Sequence, residues 1–159
     1  MNKQTHSLEI LVIGTEPPCP RCDLLGLWVD EIITAEGLAQ KVIVKYLAFN
    51  DPEAKILAAE KNKKVGTAKH VAHKAKIYLD KSAVDAWFKN RKAEVPHFSR
   101  PADLWNEELD RILSECQQAA GTVSYLMTPV LVLNREVKHH GSVPARADVV
   151  NWIRKAASS

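Results

Sequence analysis

The chain has 159 residues, a length typical of about one domain, and 46% of them are hydrophobic while 26% are charged. These values exclude an intrinsically disordered chain and allow a buried core without cross-links. The net charge of +3 is too small to indicate nucleic-acid binding by itself. No apolar run reaches the roughly 18 residues of a membrane span, and the run Leu8–Ile13 is too short for a signal peptide. We therefore expect a cytoplasmic protein that binds neither membrane nor nucleic acid.

Hydrophobic patterning predicts alternating strands and helices at both ends of the chain. Short runs rich in β-branched residues indicate buried strands, and apolar residues recurring every three to four positions indicate amphipathic helices. The pair Asn134–Arg135 is typical of a hairpin turn. The predicted order is a strand at Leu8–Gly14, a helix from Pro20 to about Glu36, a strand within Lys41–Phe49, a helix from Pro52 to about Lys61, a helical middle, strands at Val130–Leu133 and Glu136–His140, and a helix over Ala145–Ala156.

The middle of the chain, about 62–120, is expected to form an α-helical insertion, with helices over Ser82–Lys92 and Pro101–Ala120. Residues 52–100 contain 12 lysines and arginines against 5 acidic residues, whereas residues 101–120 contain 1 against 5. We expect most of this charge to lie on solvated faces. Large apolar side chains can pack the insertion on the remainder, which predicts a single domain over 1–159. These side chains are Trp87, Phe88, Leu104, Trp105 and Ile112.

A Cys-Pro-Arg-Cys motif, Cys19 to Cys22, lies directly between the first predicted strand and the first predicted helix. If Cys19 is the N-cap residue, Pro20 occupies the first helical position, and the backbone N–H groups of Arg21 and Cys22 point at the Cys19 sulfur. These donors, the helix dipole and the Arg21 charge stabilise a thiolate, so we expect a Cys19 pKa well below the free value of about 8.5. Cys19 is then the exposed, attacking cysteine, and Cys22 is the more buried, resolving one.

Two other uses of the motif stay open at this point. Zinc sites contain such cysteine pairs, and further ligands could come from His70 and His73 or from His139 and His140. The chain has no second CxxC, however, and neighbouring histidines in a strand point to opposite faces. The other alternative is a partner-binding module in which the cysteines are secondary. The third cysteine, Cys116, lies on the apolar face of a predicted helix, which is typical of a buried free thiol.

Proline also occurs at Thr128-Pro129, directly before the strand Val130–Leu133. Because proline cannot donate a hydrogen bond inside a central strand, Pro129 must lie at the strand's start. The Thr128–Pro129 bond is therefore a candidate cis peptide bond.

The order of strand, CxxC helix, strand, helix, Thr-Pro strand, hairpin and helix resembles the thioredoxin-like superfamily. The closest resemblance is to the small archaeal and bacterial redox-active disulfide proteins. It covers roughly 8–61 and 122–155 and departs from thioredoxin at Pro18, where that family has tryptophan. No buried carboxylate can be assigned as a proton acceptor, and the nearest one, Glu16, is expected to be exposed. The matching residues are Leu8–Gly14, Cys19–Cys22, Thr128–Asn134, Gly141–Pro144, Val149, Val150, Trp152 and Ile153.

The resemblance implies an α/β thioredoxin-like fold with a mixed sheet, interrupted by the insertion at 62–120. It implies a disulfide-exchange site at Cys19 and Cys22, supported by Pro20 and Arg21, and a cis Pro129 that faces the two cysteines. Thr128 would offer backbone hydrogen bonds to a bound chain. The implied activity is that of a thiol–disulfide oxidoreductase, acting on protein thiols and disulfides with an unidentified electron donor and without a metal or organic cofactor.

Overall fold

The computed structural model describes residues 7–158, so the predicted domain over 1–159 extends past the described residues at both ends. No helix within them is both long enough and apolar enough to cross a membrane. The strands are β1 (Leu8–Gly14), β2 (Val42–Ala48), β3 (Lys64–Gly66), β4 (Tyr125–Met127), β5 (Val130–Leu133) and β6 (Glu136–His140). The helices are α1 (Pro20–Ala35), α2 (Pro52–Glu60), α3 (Ala68–Ala75), α4 (Lys81–Glu94), α5 (Glu107–Ile112), α6 (Ser114–Ala120) and α7 (Arg146–Ala157).

The main sheet has the strand order β2-β1-β5-β6. β1 pairs parallel with β2 along its whole length, and it pairs antiparallel with β5 on its other side. β6 returns antiparallel to β5 through Asn134 and Arg135, which both have positive φ, as the tightest hairpin turns require. A parallel strand–helix–strand unit is thus joined through β1 to a hairpin that is followed by a helix. This is the thioredoxin-like arrangement, and the predicted α/β fold class is confirmed.

Both faces of β1 are buried because helices cover the sheet on each side. Ile10 and Val12 face a core shared with α1 and α7, whereas Leu11 and Ile13 face a core shared with α2. A strand covered on both faces reads as a continuous apolar run, which is why β1 is evident in the sequence. The sheet therefore holds the carboxyl end of β1, and the cysteine motif that follows it, on a rigid support.

A further hydrophobic cluster lies in the middle of the chain. The elements α3, α4, α5 and α6 bury their apolar faces against one another and against β4, with Trp87 as the buried residue of α4. A second, two-stranded sheet joins this region to the main fold, since β3 pairs parallel with β4 and the Thr128 N–H donates to the Gly66 carbonyl at 2.9 Å. The segment predicted to be wholly helical therefore also contains a strand. The cluster comprises Ala68, Val71, Ala72, Trp87, Leu104, Leu109, Leu113, Cys116, Ala120 and Met127.

The prediction of one helix over Pro101–Ala120 is wrong. A 3-10 turn over Pro101–Leu104 is followed by α5 and α6 as separate short helices. Trp105 is extended, with ψ 140°, and the Asn106 side chain accepts a hydrogen bond from the Glu108 N–H at 3.1 Å. Asn106 therefore caps a new helix, because its side chain satisfies a backbone donor that a continuous helix would have bonded internally.

Replacing Trp87 by alanine should lower the free energy of unfolding by about 3–5 kcal/mol, because it empties a core position and removes the indole N–H that donates to the Asn106 side-chain oxygen, 2.7 Å away. Urea denaturation measures the change. Ile56→Ala is the matched control, since that α2 side chain is 59% exposed, and its effect should stay within about 0.5 kcal/mol. Equal effects of the two changes would contradict the packing of α4 described here.

Candidate active site

The cysteine motif begins α1 as the sequence predicts. Cys19 is the N-cap residue, with φ −79° and ψ 169°, and Pro20 occupies the first turn. The loop before it is held by Thr15, whose hydroxyl accepts from the Cys19 N–H at 2.8 Å and donates to the Pro17 carbonyl at 2.8 Å. Among residues 7–158, two peptide bonds are cis, Glu16–Pro17 in this loop and Thr128–Pro129 before β5. Thr15 therefore fixes the backbone from which the Cys19 side chain extends.

The sulfur atoms of Cys19 and Cys22 lie 3.3 Å apart and share a hydrogen bond. Cys22 is 5% exposed and Cys19 is partly exposed, so solvent and a partner reach Cys19 more readily. Cys116 is also buried, but in the cluster formed by α3 to α6. The pair at the start of α1 is thus set up with one accessible and one covered sulfur.

The shared hydrogen bond separates the acidities of the two thiols. It lowers the pKa of Cys19 to about 5, against the cost of burial, with further help from the Arg21 charge and the backbone N–H groups of Cys22 and Arg21. The same hydrogen bond, together with burial, raises the pKa of Cys22 well above its usual value. Cys19 is therefore a thiolate at neutral pH, and the proton between the two sulfurs stays on Cys22.

Gly14, the last residue of β1, allows Cys22 to approach the sheet. A Cβ atom at this position would lie 2.8 Å from the Cys22 Cβ and 3.0 Å from its Sγ. These distances are too short for non-bonded atoms, so any side chain here would displace Cys22 from its place beside Cys19.

Arg21, between the two cysteines, is buried, with 3% of its surface exposed. Its guanidinium donates to the Gly141 carbonyl at 2.5 Å and to the Thr128 carbonyl at 3.1 Å, and it lies 3.4 Å from the Asp110 carboxylate. The Arg21 Nε–H is buried without a hydrogen-bond partner among the described residues, but the two carbonyls and the carboxylate offset much of the cost of burying the charge. Arg21 therefore joins the start of α1 to the Thr128–Pro129 segment and to α5.

Thr128 is fully buried, and both of its backbone groups are engaged within the chain. Its N–H donates to the Gly66 carbonyl at 2.9 Å, and its carbonyl accepts from Arg21. The structure thus brings Thr128 to the cysteine motif through Arg21, with Pro129 directly after it. The hydrogen bonds expected to serve a bound chain are made internally in this conformation.

A second connection between α1 and the middle segment runs through Asp23. Arg100 donates to both Asp23 carboxylate oxygens, at 2.8 and 2.7 Å, and the Ala102 N–H donates to the same carboxylate at 2.9 Å. The hydrogen bond from Arg100 lowers the pKa of Asp23. A bidentate pair of this kind fixes orientation as well as distance, so the turn at Pro101–Leu104 is held against the first turn of α1.

An open cleft of about 240 Å³ lies beside Cys22, between α1 and β2. The loop before Cys19 forms one end, and Arg100 closes another side. Its lining residues are Val12, Gly14, Thr15, Glu16, Pro18, Cys22, Asp23, Gly26, Asp30, Tyr46, Leu47, Ala48 and Arg100.

Three of the four histidines considered as zinc ligands make other contacts. The His140 Nδ1 accepts from the Met127 N–H at 3.2 Å, His139 stacks on Trp152, and the His70 Nδ1 accepts from the Thr67 N–H at 3.1 Å. Burial lowers the pKa of both His139 and His140. Among residues 7–158, no group of three or more His, Cys, Asp or Glu side chains could hold a metal ion.

The residues of this site that sequence reasoning missed include Thr15, Arg100 and Asp110. Arg100 and Asp110 come from the charged middle segment, where neither differs in type or spacing from its solvated neighbours. Thr15 offered a weak signal, because a hydroxyl four residues before a helix-starting cysteine can accept a hydrogen bond from the loop backbone.

No protein-family model matches this chain, and no curated protein matches it. Among solved structures it is similar to a thioredoxin-like oxidoreductase from Silicibacter pomeroyi DSS-3. The identity is 11%, the match covers 98% of this chain and 89% of that chain, and the TM-score is 0.39. The assignment of the fold accordingly rests on the strand order and pairing described above.

Alkylation of Cys19 by iodoacetamide should follow a single ionisation with a midpoint near pH 5. Since the thiolate is the reactive form, the rate should rise from pH 4 to about pH 6 and then level off, whereas an ordinary thiol keeps gaining rate up to about pH 8.5. Mass mapping of the alkylated peptide measures it. Cys22→Ser keeps a hydroxyl at the partner position but donates a different hydrogen bond, so its midpoint should move. A Cys19 midpoint above pH 8 in the unsubstituted chain would contradict the assigned electrostatics.

Gly14→Ala should destabilise the reduced protein by about 1–3 kcal/mol, because the added methyl overlaps the Cys22 side chain. It should also slow closure of the disulfide between Cys19 and Cys22. Gly121→Ala is the matched control, since a Cβ there meets nothing within 4 Å and the backbone is helical. That change should be neutral or slightly stabilising, and thermal unfolding of both variants tests the contrast.

Proposed function

We propose that the chain is a thiol–disulfide oxidoreductase that exchanges disulfides with protein substrates through Cys19 and Cys22. The observation that carries the proposal is the 3.3 Å approach of two sulfurs whose pKa values are moved in opposite directions. Exchange needs a thiolate that attacks and a second thiol that keeps its proton until the mixed disulfide has formed. The start of α1 supplies the attacking thiolate, Cys19, and the protonated thiol, Cys22.

In the first step the Cys19 thiolate attacks one sulfur of a substrate disulfide. A bond forms between Cys19 and that sulfur, the substrate S–S bond breaks, and the departing sulfur leaves as a thiolate with the electron pair. Negative charge on Cys19 is lost in this step. The Cys22 thiol is then released from the hydrogen bond that held its proton.

In the second step Cys22 gives its proton to solvent at the cleft and attacks the Cys19 sulfur. The Cys19–Cys22 bond forms, and the first substrate sulfur departs as a thiolate. The protein loses two electrons and the substrate gains two. A separate dithiol reductant, the unidentified electron donor, returns the pair to its reduced state. The steps run in reverse when the oxidised protein meets a reduced substrate.

The surrounding residues have supporting roles in the proposal. Pro20 starts the helix that aims its N–H groups at Cys19, and Arg21 adds charge beside both sulfurs. Thr128 and Pro129 would form the wall against which substrate docks. Because the Thr128 backbone groups are bonded to Gly66 and Arg21, hydrogen bonding to a substrate chain would require those contacts to open.

The motif stretches also support a relationship to the small archaeal and bacterial redox-active disulfide proteins, with 62–120 as an insertion in one domain. A cytoplasmic location would keep the resting pair reduced.

A redox titration against glutathione tests the activity itself. Samples equilibrated at increasing ratios of oxidised to reduced glutathione are quenched in acid and alkylated, and the Cys19–Cys22 disulfide is quantified by mass spectrometry. A reversible two-electron transition supports the proposal. If both thiols remain free, or if the purified protein carries stoichiometric zinc on Cys19 and Cys22, the proposal is wrong.

Cys22→Ser should accumulate mixed disulfides between Cys19 and disulfide-containing proteins of a cell extract, because the resolving step is removed. Cys19→Ser should accumulate none, since Cys22 is buried away from large substrates and burial by itself raises the pKa of its thiol. Cys116→Ser in the Cys22→Ser background is the control and should leave trapping unchanged. Non-reducing electrophoresis followed by mass spectrometry measures the adducts, and equal trapping by the first two variants would contradict the assigned roles.

A further inference from the structure

The backbone at Thr128 cannot pair with an added strand in this conformation. A peptide that pairs with a strand edge uses free backbone N–H and C=O groups. Here β3 already pairs with β4, and the next N–H in line, that of Thr128, donates to the Gly66 carbonyl. Gly66 is itself packed tightly, since a Cβ there would lie 3.0 Å from both His70 and Tyr125. A substrate that docks against Thr128 and Pro129 therefore gains no strand pairing there, and its selection has to come from contacts on another side of the cysteine pair.

The other side is open. The cleft between α1 and β2 has the Cys22 side chain in its wall, and the Cys22 sulfur is 3.3 Å from the attacking Cys19 sulfur. Glu16 and Pro18, which precede Cys19 in the chain, also line it. A group attached next to a sulfur bonded to Cys19 thus has this cleft within reach. Its volume of about 240 Å³ is below the roughly 300–1,000 Å³ of small-molecule sites, which suits a single extended side chain.

The cleft carries an excess of negative charge. Three carboxylates line it, those of Glu16, Asp23 and Asp30, against the single cation of Arg100. Arg100 is bound by both oxygens of Asp23, so its charge is compensated. Among the described residues, Glu16 and Asp30 form no ion pair, and Asp30 accepts its hydrogen bond from the neutral Tyr46 hydroxyl. The Arg100 charge therefore compensates Asp30 only from a distance, and the Glu16 carboxylate is open to a cationic ligand.

We propose that this cleft selects protein disulfides in which a lysine or arginine flanks the attacked cysteine, because the Glu16 and Asp30 carboxylates that line the cleft attract the cation of that side chain. The inference rests on the proposed function, because the flanking cation matters only if Cys19 attacks a disulfide. It adds a preference for substrate and leaves the exchange steps unchanged. Electrostatic attraction between the cleft and a cationic substrate increases the rate of their encounter, and this effect is largest at low ionic strength.

The experiment uses the reduced full chain and three peptide disulfides. Each is a disulfide-linked dimer of a capped Ala-X-Cys-Ala peptide, with lysine, glutamine or glutamate at X. The rate of Cys19–Cys22 disulfide formation is followed by acid quenching, alkylation and mass spectrometry at low and high salt. Each rate is divided by that of the same peptide with dithiothreitol, which corrects for the effect of X on the reactivity of the disulfide itself.

The expected order is lysine, then glutamine, then glutamate, with about a three- to tenfold corrected difference between the extremes that shrinks in high salt. The paired change Glu16→Gln with Asp30→Asn should bring the three corrected rates together. Asp85→Asn with Glu136→Gln removes the same charge outside the cleft and should preserve the order, since Asp85 lies on α4 and Glu136 at the far end of the hairpin.

Two kinds of failure are distinguishable. If none of the peptides oxidises the pair while dithiothreitol reduces all of them, the proposed function is wrong. Selection by this cleft is wrong if all three peptides react at equal corrected rates, or if the lysine preference persists in the Glu16/Asp30 double variant. The proposed disulfide exchange is supported in both cases.

Discussion

The cysteine site depends on one buried charge. Taking a guanidinium out of water costs several kcal/mol unless its donors are paired, so Arg21 has to find acceptors inside the fold. It finds two backbone carbonyls, of Thr128 and Gly141, and one carboxylate, of Asp110. These acceptors come from the segment before β5, the end of β6 and α5. The need to satisfy a residue between the two cysteines therefore brings three distant parts of the chain to the start of α1.

The hydrogen bond between the two sulfurs gives the two cysteines different protonation states and therefore different roles. One interaction stabilises the charged form of Cys19 and the neutral form of Cys22, so the pKa values of the two thiols move apart mainly through the pair itself. Chains that place a carboxylate below the resolving cysteine have an internal proton acceptor. Here Cys22 faces a cleft open to solvent, and the acids of that cleft lie around its rim, with Glu16 and Asp30 both exposed.

Elements whose signal is local could be predicted from the sequence. β1, the Cys19 N-cap with Pro20, the Asn134–Arg135 hairpin and α7 each depend on apolar periodicity or on a residue type with one favoured backbone position. β3 could not be predicted, because a three-residue strand has no periodicity and exists through its pairing with β4, about 60 residues away. The roles of Arg100 and Asp110 could not be predicted from the sequence for a related reason. Each is one of many charged residues in the middle segment, and its partner on α1 is specified by tertiary structure alone.

The distances along the chain that separate these partners have a consequence for how the protein is made. Arg21 meets Asp110, Thr128 and Gly141 across 89, 107 and 120 residues, and Asp23 meets Arg100 across 77. Contacts this remote in sequence form late, because a long loop must close before they contribute. On a ribosome, the Cys-Pro-Arg-Cys segment emerges long before its partners exist. The nascent dithiol therefore lacks the buried arginine contacts throughout most of synthesis, and it acquires its final surroundings only when the last hairpin has been added.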